Sequence, residues 1–482
     1  MTTGTPTRRR NGHRTTSSTP GGLTSSSRSS ALITSLPTVR RARRRRVLTD
    51  IGAGTALGAV VLALLGIVPS AMPDLGGGPS AAEDPDPLFV PVIGDDDADD
   101  TLGPAFGEDV AAEDDPSTVA VGITAADTSR FVALPTTRVL DTRDGSAADP
   151  GETVEADVGP HVPGHATAVA VSVTVLGALD PGVVTASLDR GPVAVVDVGR
   201  PMTTAVAFVP RAEGDVLTLA TAGGGHLVVD VIGYFVADGP TSAGRFVPVE
   251  VTTVAELLTA VDGREATYGV DDGAYGALPV EEVGSVVVRI RADVGDEGGV
   301  VRVGSEPDAL ANMMMWSATT GDGRTRQGTA VVDLNEIGQW SLSYEGGTAL
   351  SVDLIGYFTN ARAPVAADGL FVATDAAVVF DGRVEAGTPI VIDAAPSIDQ
   401  PIGAVGVVIT AVAADVGTVA AHRPDGRPGS GTVFVGGGIV RNEATIVPTD
   451  AEGRLTLASS VDADIRVERN GYFTGPGADL GG

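Results

Sequence analysis

The chain has 482 residues, no cysteine and no lysine, so its 32 basic residues are all arginine, set against 62 acids for a formal net charge of −30. Disulfides are excluded, and every folded part must be held by its own apolar core. Residues 1–46 contain eleven arginines and no acid, so the rest of the chain carries −41, the difference between −30 and +11. Such a charge repels nucleic acid and argues against it as a partner.

In chain order, residues 1–46 are rich in Ser, Thr and Arg and read as a disordered basic tail. From Ile51 to Val68 there is no charge, and with Val47, Leu48 and Thr49 the stretch reaches the roughly 20 residues needed to cross a bilayer. Residues 47–69 are therefore expected to be a transmembrane signal-anchor helix, with the lipid bilayer as partner. Arginines before it and acids after it predict a single-pass plasma-membrane protein, N-terminus cytoplasmic and the remainder extracellular. Cleavage of this segment as a signal peptide would instead give a secreted product. Residues 70–129 hold fourteen acids between Asp74 and Asp115 and no Lys or Arg. Self-repulsion extends such a segment, which reads as a disordered acidic stalk. Its Asp run lacks the Asp-x-Asp-x-Asp-Gly and distal Glu of a calcium loop.

Beyond the stalk, apolar residues come in short runs of Val, Ala, Leu and Thr, such as Thr167 to Leu176, Val193 to Val198, Thr203 to Val209 and Leu227 to Ile232. Gly, Pro and Asp clusters separate them, among them Asp180-Pro181-Gly182 and Ala222-Gly223-Gly224-Gly225. Strands with turn signals at close intervals predict an all-β sandwich or barrel. One exception is Val254 to Val261, whose composition suggests a short helix within an insertion.

The runs are organised by recurrence. Val228-Val229-Asp230-Val231-Ile232-Gly233-Tyr234-Phe235, Ser351-Val352-Asp353-Leu354-Ile355-Gly356-Tyr357-Phe358 and Arg466-Val467-Glu468-Arg469-Asn470-Gly471-Tyr472-Phe473 all close on Gly-Tyr-Phe. Their front edges recur as Arg130-Phe131-Val132, Arg245-Phe246-Val247 and Leu370-Phe371-Val372. Copies of roughly 105 to 115 residues are domain-sized and not solenoid-sized. The expected fold is all-β, with three tandem antiparallel β-sandwich-like modules at 130–238, 244–360 and 368–475, preceded by one transmembrane helix and the disordered segments.

An apolar-Asp-x-Arg pattern follows each entry, at Leu140-Asp141-Thr142-Arg143, Val261-Asp262-Gly263-Arg264 and Phe380-Asp381-Gly382-Arg383. A Leu-Asp-Thr-Arg near the start and a Val-Asp-Val-x-Gly-Tyr-Phe about a hundred residues later resemble the repeat module of secreted and cell-envelope proteins of actinobacteria. The resemblance covers residues 131–474 and weakens in the second and third copies. It implies location and architecture more than chemistry.

Recurrence also selects candidate residues. The exit acids Asp230, Asp353 and Glu468 and the arginines Arg143, Arg264 and Arg383 are expected to form structural ion pairs tying each module's first strand to its last. Catalysis has little support: the histidines do not recur, His161 and His165 flank a Pro-Gly turn, and no cofactor, metal site or enzymatic activity is predicted. Both tryptophans fall in the second module, where Met313, Met314, Met315, Trp316 and Trp340 are a candidate ligand surface, set against core, the commoner role of such residues. The predicted function is a non-enzymatic, membrane-anchored cell-surface protein presenting three modules for envelope attachment, adhesion or spacing. The alternative is binding of cell-wall glycan through module 2; a cell-wall glycan or another surface protein is the expected partner.

Overall fold

The computed structural model describes residues 124–478 except 181, 198–201, 259–263, 271–277, 294–298, 308–309, 317–324, 347–348, 396–399 and 429–430. The expected tail, transmembrane helix and nearly all of the stalk lie outside the described residues. Among the described residues no helix is long and apolar enough to cross a membrane. They belong to one compact unit within Asp109–Gly482.

The structure is all-β, and the strands of the described residues fall into three successive sets of eight. The first set is β1 (Ser129–Asp141), β2 (Thr153–Asp157), β3 (Ala166–Leu176), β4 (Val183–Ser187), β5 (Val193–Asp197), β6 (Met202–Pro210), β7 (Val216–Thr221) and β8 (His226–Ala237). The second is β9 (Phe246–Leu258), β10 (Arg264–Gly269), β11 (Val283–Asp293), β12 (Gly299–Gly304), β13 (Ala311–Trp316), β14 (Thr325–Asp333), β15 (Gln339–Glu345) and β16 (Ala349–Thr359). The third is β17 (Phe371–Val384), β18 (Ile390–Asp393), β19 (Ile402–Val412), β20 (Gly417–His422), β21 (Val433–Val435), β22 (Arg441–Pro448), β23 (Arg454–Ser459) and β24 (Ala463–Thr474).

Each set pairs into two antiparallel layers of four strands in one order, and the larger layers of the first and third sets join through β1 and β17 into one eight-stranded sheet. In the first set the layers are β1-β8-β3-β6 and β2-β7-β4-β5; the second gives β9-β16-β11-β14 and β10-β15-β12-β13, and the third β17-β24-β19-β22 and β18-β23-β20-β21. First strand against last, third against sixth, and second against seventh is the double Greek key of a jelly roll. Between the two sheets of the first set lie Val171, Val173, Val184, Leu217, Leu219 and Val229, all fully buried.

The inner strands of the larger sheets, β3, β8, β11, β16 and β19, are buried on both faces over most of their length. Along β3, Val169, Val171, Val173 and Val175 enter the core between the sheets, whereas the alternate residues Ala168 and Ala170 enter a separate cluster shared by all three sets. Burial on both faces explains why these strands read as near-continuous apolar runs. The shared cluster contains every entry and exit phenylalanine, Phe131, Phe235, Phe246, Phe358, Phe371 and Phe473, each almost fully buried.

The rings follow a threefold pattern. Each entry ring lies against the exit ring of the next set: Phe131 on Phe358 at 4.4 Å, Phe246 on Phe473 at 5.0 Å, and Phe371 on Phe235 at 4.3 Å between centroids. The three exit rings form a near-equilateral triangle with sides of 6.1 to 6.4 Å. These spacings lie within the range of favourable aromatic pairing. Packing around this centre is compensated in size: Ala170 faces Phe208, Val287 faces Val331, and Gly406 faces Ile446 across the corresponding strand pairs.

The backbone repeats the same closure. The residue two before each entry Phe pairs with the preceding set's entry strand: Phe131 N–H donates to Gly244 O at 2.8 Å, and Phe246 N–H to Gly369 O at 2.7 Å. Ser129, the first set's counterpart of these glycines, pairs with Phe371 and closes the ring from the third set back to the first. Gly244 and Gly369 have φ of +75° and +81°, and a Cβ on either would strike the backbone of the paired Phe.

One local expectation is corrected. Val254 to Leu258 is not helical but continues β9, with Ala255 opposite Val352 and Leu257 opposite Leu350. The exit strand β16 offers a complete ladder of partners there, which outweighs helix propensity. Residues 259–261 of that segment lie outside the described residues.

Candidate functional site

The recurring glycine of Gly-Tyr-Phe has a steric cause. A Cβ on Gly233, Gly356 or Gly471 would overlap the ring of Phe131, Phe246 or Phe371, so each entry ring lies directly on the exit strand of its own set. The two ends of the sequence repeat are thus parts of one contact. They build the shared core and not a site.

The exit acids lie farther along the same strands, on the face turned toward the neighbouring set. The expected partnership with the later arginines is not formed. Asp230 is 3 % exposed and accepts from Arg138, at 2.9 Å to Nε and 3.2 Å to Nη2, not from Arg143. Arg143 turns back onto Asp141, whose carboxyl that hydrogen bond holds well below the usual range. The bond with Asp230 raises the Arg138 guanidinium in turn. In the third set Arg383 pairs with Asp462 at 3.1 Å, while Glu468 pairs with Arg466 at 2.9 Å.

Register explains both corrections. Each first strand carries two irregularities against its exit strand, which bring Arg138 opposite Asp230, Thr253 opposite Asp353 and Val378 opposite Glu468. The same register makes Glu256 the counterpart of Asp141 and Asp381, since they face Ser351, Val228 and Arg466. Arg264 is therefore not the equivalent of Arg143. It lies on β10, in the smaller sheet opposite Tyr344, whereas Asp353 lies in the larger sheet and accepts from the Thr253 hydroxyl at 2.7 Å. The Arg264 side chain is outside the described residues.

The candidate ligand surface of the second set divides likewise. Trp340 is fully buried in the core between the two sheets and packs on Tyr268 with ring centroids 4.9 Å apart, so it belongs to the interior. The backbone of Met313, Met314, Met315 and Trp316 forms β13, the edge of the smaller sheet against β12. Their side chains are outside the described residues.

What the structure offers instead are grooves where consecutive sets meet. Between the first and second sets, a cavity of about 300 Å³ is lined by Pro135, Arg138, Asp230, Ser305 and Asp333. Burial raises the Asp333 carboxyl even though the Ser285 hydroxyl donates to it at 3.2 Å. Between the second and third sets the corresponding cavity is about 510 Å³ and is lined by Val249, Val251, Arg289, Ile355, Ile402 and Pro448, among others. At the third junction, Arg190 bridges to Asp375 at 3.0 Å.

Arg289 is the residue that sequence reasoning passed over. It is 3 % exposed, and burial lowers its guanidinium against the opposing influence of Glu443 and Asp353. Its signal was available: one charge inside Val286-Val287-Val288-Arg289-Ile290, on a strand otherwise apolar enough to be buried on both faces. Among the described residues no group of three or more His, Asp or Glu is placed to hold a metal ion.

No protein-family model matches the chain, and no curated protein matches it.

Proposed function

We propose that the chain is a non-enzymatic, membrane-anchored surface protein whose three β modules act together as one rigid head on an acidic stalk, serving envelope attachment or adhesion. The observation that carries this reading is the interleaving of six phenylalanines from the three strand sets in one core. Modules joined in this way cannot separate and lengthen like beads on a string, which favours presentation over extensible spacing. The arginine-flanked apolar segment at 47–69 supports the anchored topology, and the resemblance of residues 131–474 to actinobacterial envelope repeats supports the location.

The test is made on intact cells producing the full chain. External protease should degrade the head only after prolonged digestion and release it first by cutting within 70–123, where acids and prolines leave little to protect the backbone. Complete protection of the whole chain until the cells are lysed would overturn the outside assignment. Recovery of the head in the soluble fraction without proteolysis would overturn the anchor. Failure of the purified protein to bind isolated cell wall would remove envelope attachment and leave adhesion to another surface protein.

A further inference from the structure

We propose that the groove between the second and third strand sets is a binding site for a small monocarboxylate with an apolar body, held at its base by Arg289. Nothing in the surface-anchoring reading requires such a site, and the two stand or fall separately.

The argument starts from the arginine. Its Nη1 donates to the Gly431 carbonyl at 3.1 Å, while its Nε is buried without an acceptor. A buried donor without a partner is destabilising, the more so when it is charged. The neighbouring exit acid does not fill the gap: Asp353 is spent on the Thr253 hydroxyl through Oδ1, and its Oδ2 is likewise unpartnered. The first set solves the same problem differently, with Arg138 bonded through two nitrogens to Asp230. The position of Arg289 is taken by Ser172 in the first set and by Val408 in the third, since these face Asp230 and Glu468 as Arg289 faces Asp353. Among the described residues only the second set carries a guanidinium at this register position; the arginine lining the first groove, Arg138, comes from the entry strand and is committed to Asp230.

The groove itself has the size and lining of a ligand site. Its volume of about 510 Å³ falls within the usual range for small-molecule pockets, which are mainly apolar with a few fixed polar groups. Val249, Val251, Ile355, Ile402 and Pro448 supply apolar wall. The rim charges cancel in pairs, Arg427 with Glu250 at 3.4 Å and Arg423 with Asp425 at 2.6 Å. Arg289, with Nη1 on the Gly431 carbonyl and Nε without an acceptor, is the lining charge that no rim ion pair matches. A carboxylate suits the planar fork of a guanidinium. A doubly charged phosphate does not suit this place, because Asp353 and Glu443 already act on the same arginine.

Benzoate, neutral benzamide and inorganic phosphate, titrated into the full-length protein by calorimetry, test this. Benzoate should bind saturably at one site per chain, about tenfold or more tighter than benzamide or phosphate. Arg289→Met should weaken benzoate by at least about tenfold. Ala451→Trp, at an exposed residue lining the groove, should block benzoate while leaving the thermal transition unchanged. That second variant decides the matter if Arg289→Met does not fold. Absence of saturable benzoate binding, equal binding of benzamide, tighter binding of phosphate, or benzoate binding indifferent to Ala451→Trp would each overturn the proposal.

Discussion

The ring of Phe235 lies 4.3 Å from that of Phe371, closer than to any ring of its own strand set, where Phe131 is 5.2 Å and Phe208 5.3 Å away. It also contributes one corner to the triangle with Phe358 and Phe473. A residue placed this way belongs to no single set. Phe235→Ala should therefore cost about 3–5 kcal/mol, as for a large aromatic removed from a packed core, and lower one cooperative transition of the whole head. Calorimetry checks this: a loss confined to one of several resolved transitions would show that the sets unfold independently.

Gly356→Ala tests the contact between the two ends of the repeat. The added methyl must displace the Phe246 ring, which is itself packed on Phe358 and Phe473, and it also meets the Val247 carbonyl oxygen at 2.8 Å. Overpacking of this kind costs about 1–3 kcal/mol. Trimming the ring should relieve the side-chain part of the clash, so Gly356→Ala combined with Phe246→Leu should be more stable than the sum of the two separate effects. Chemical denaturation of the four proteins gives the coupling directly; strict additivity would contradict the contact.

The two arginines near Asp230 should respond very differently to removal. Arg138→Ala leaves a nearly buried carboxylate without its bidentate partner. Because the Arg138 side chain is itself 40 % exposed, water recovers part of the loss, and about 1–3 kcal/mol is expected. Arg143→Ala breaks only the exposed pair with Asp141, worth about 0–1 kcal/mol. Denaturant midpoints rank the two variants, and an equal or larger effect at Arg143 would contradict the observed pairing.

Asp333 sets a pH dependence with a definite sign. Burial raises its carboxyl in the folded state. A carboxyl raised on folding contributes stability below its unfolded value and loses it as pH rises through the folded one. Asp333→Asn keeps an acceptor for the Ser285 hydroxyl and removes the buried charge. The variant should melt at a higher temperature at neutral pH, with the advantage vanishing as pH falls below the ordinary carboxylate range. A pH-independent difference, or a more stable wild type at neutral pH, would contradict this.

Strand positions were legible because Val-rich runs bounded by Gly, Pro and Asp mark strands whatever surrounds them. Thr203 to Val209 and Leu227 to Ile232 fall inside β6 and β8. The phenylalanines and glycines were legible as a recurrence, but recurrence cannot say whether an apolar ring packs on its own copy or on the next one. Ion pairing was misread for a related reason. Counting from Phe131 selects Arg143, whereas the two irregularities in β1 bring Arg138 opposite Asp230. Trp340 and Trp316 are chemically alike in the sequence, and only the pairing of β15 with β10 and β12 shows that Trp340 lies in the interior. Arg289 gave a signal of burial but none of location, since the groove exists only where two strand sets meet.

The closed ring of Gly244, Gly369 and Ser129 against the three entry strands has a consequence for what substitution can do. In an assembly of three identical chains, every change alters all three junctions at once. Here one continuous chain carries the threefold arrangement, so each junction is free to be edited alone. One holds the Arg138–Asp230 pair, one has the buried Arg289 lining a larger cavity, and one is bridged by Arg190 and Asp375. A head built in this way can keep a symmetric frame and still offer a ligand a single address, with a stoichiometry of one.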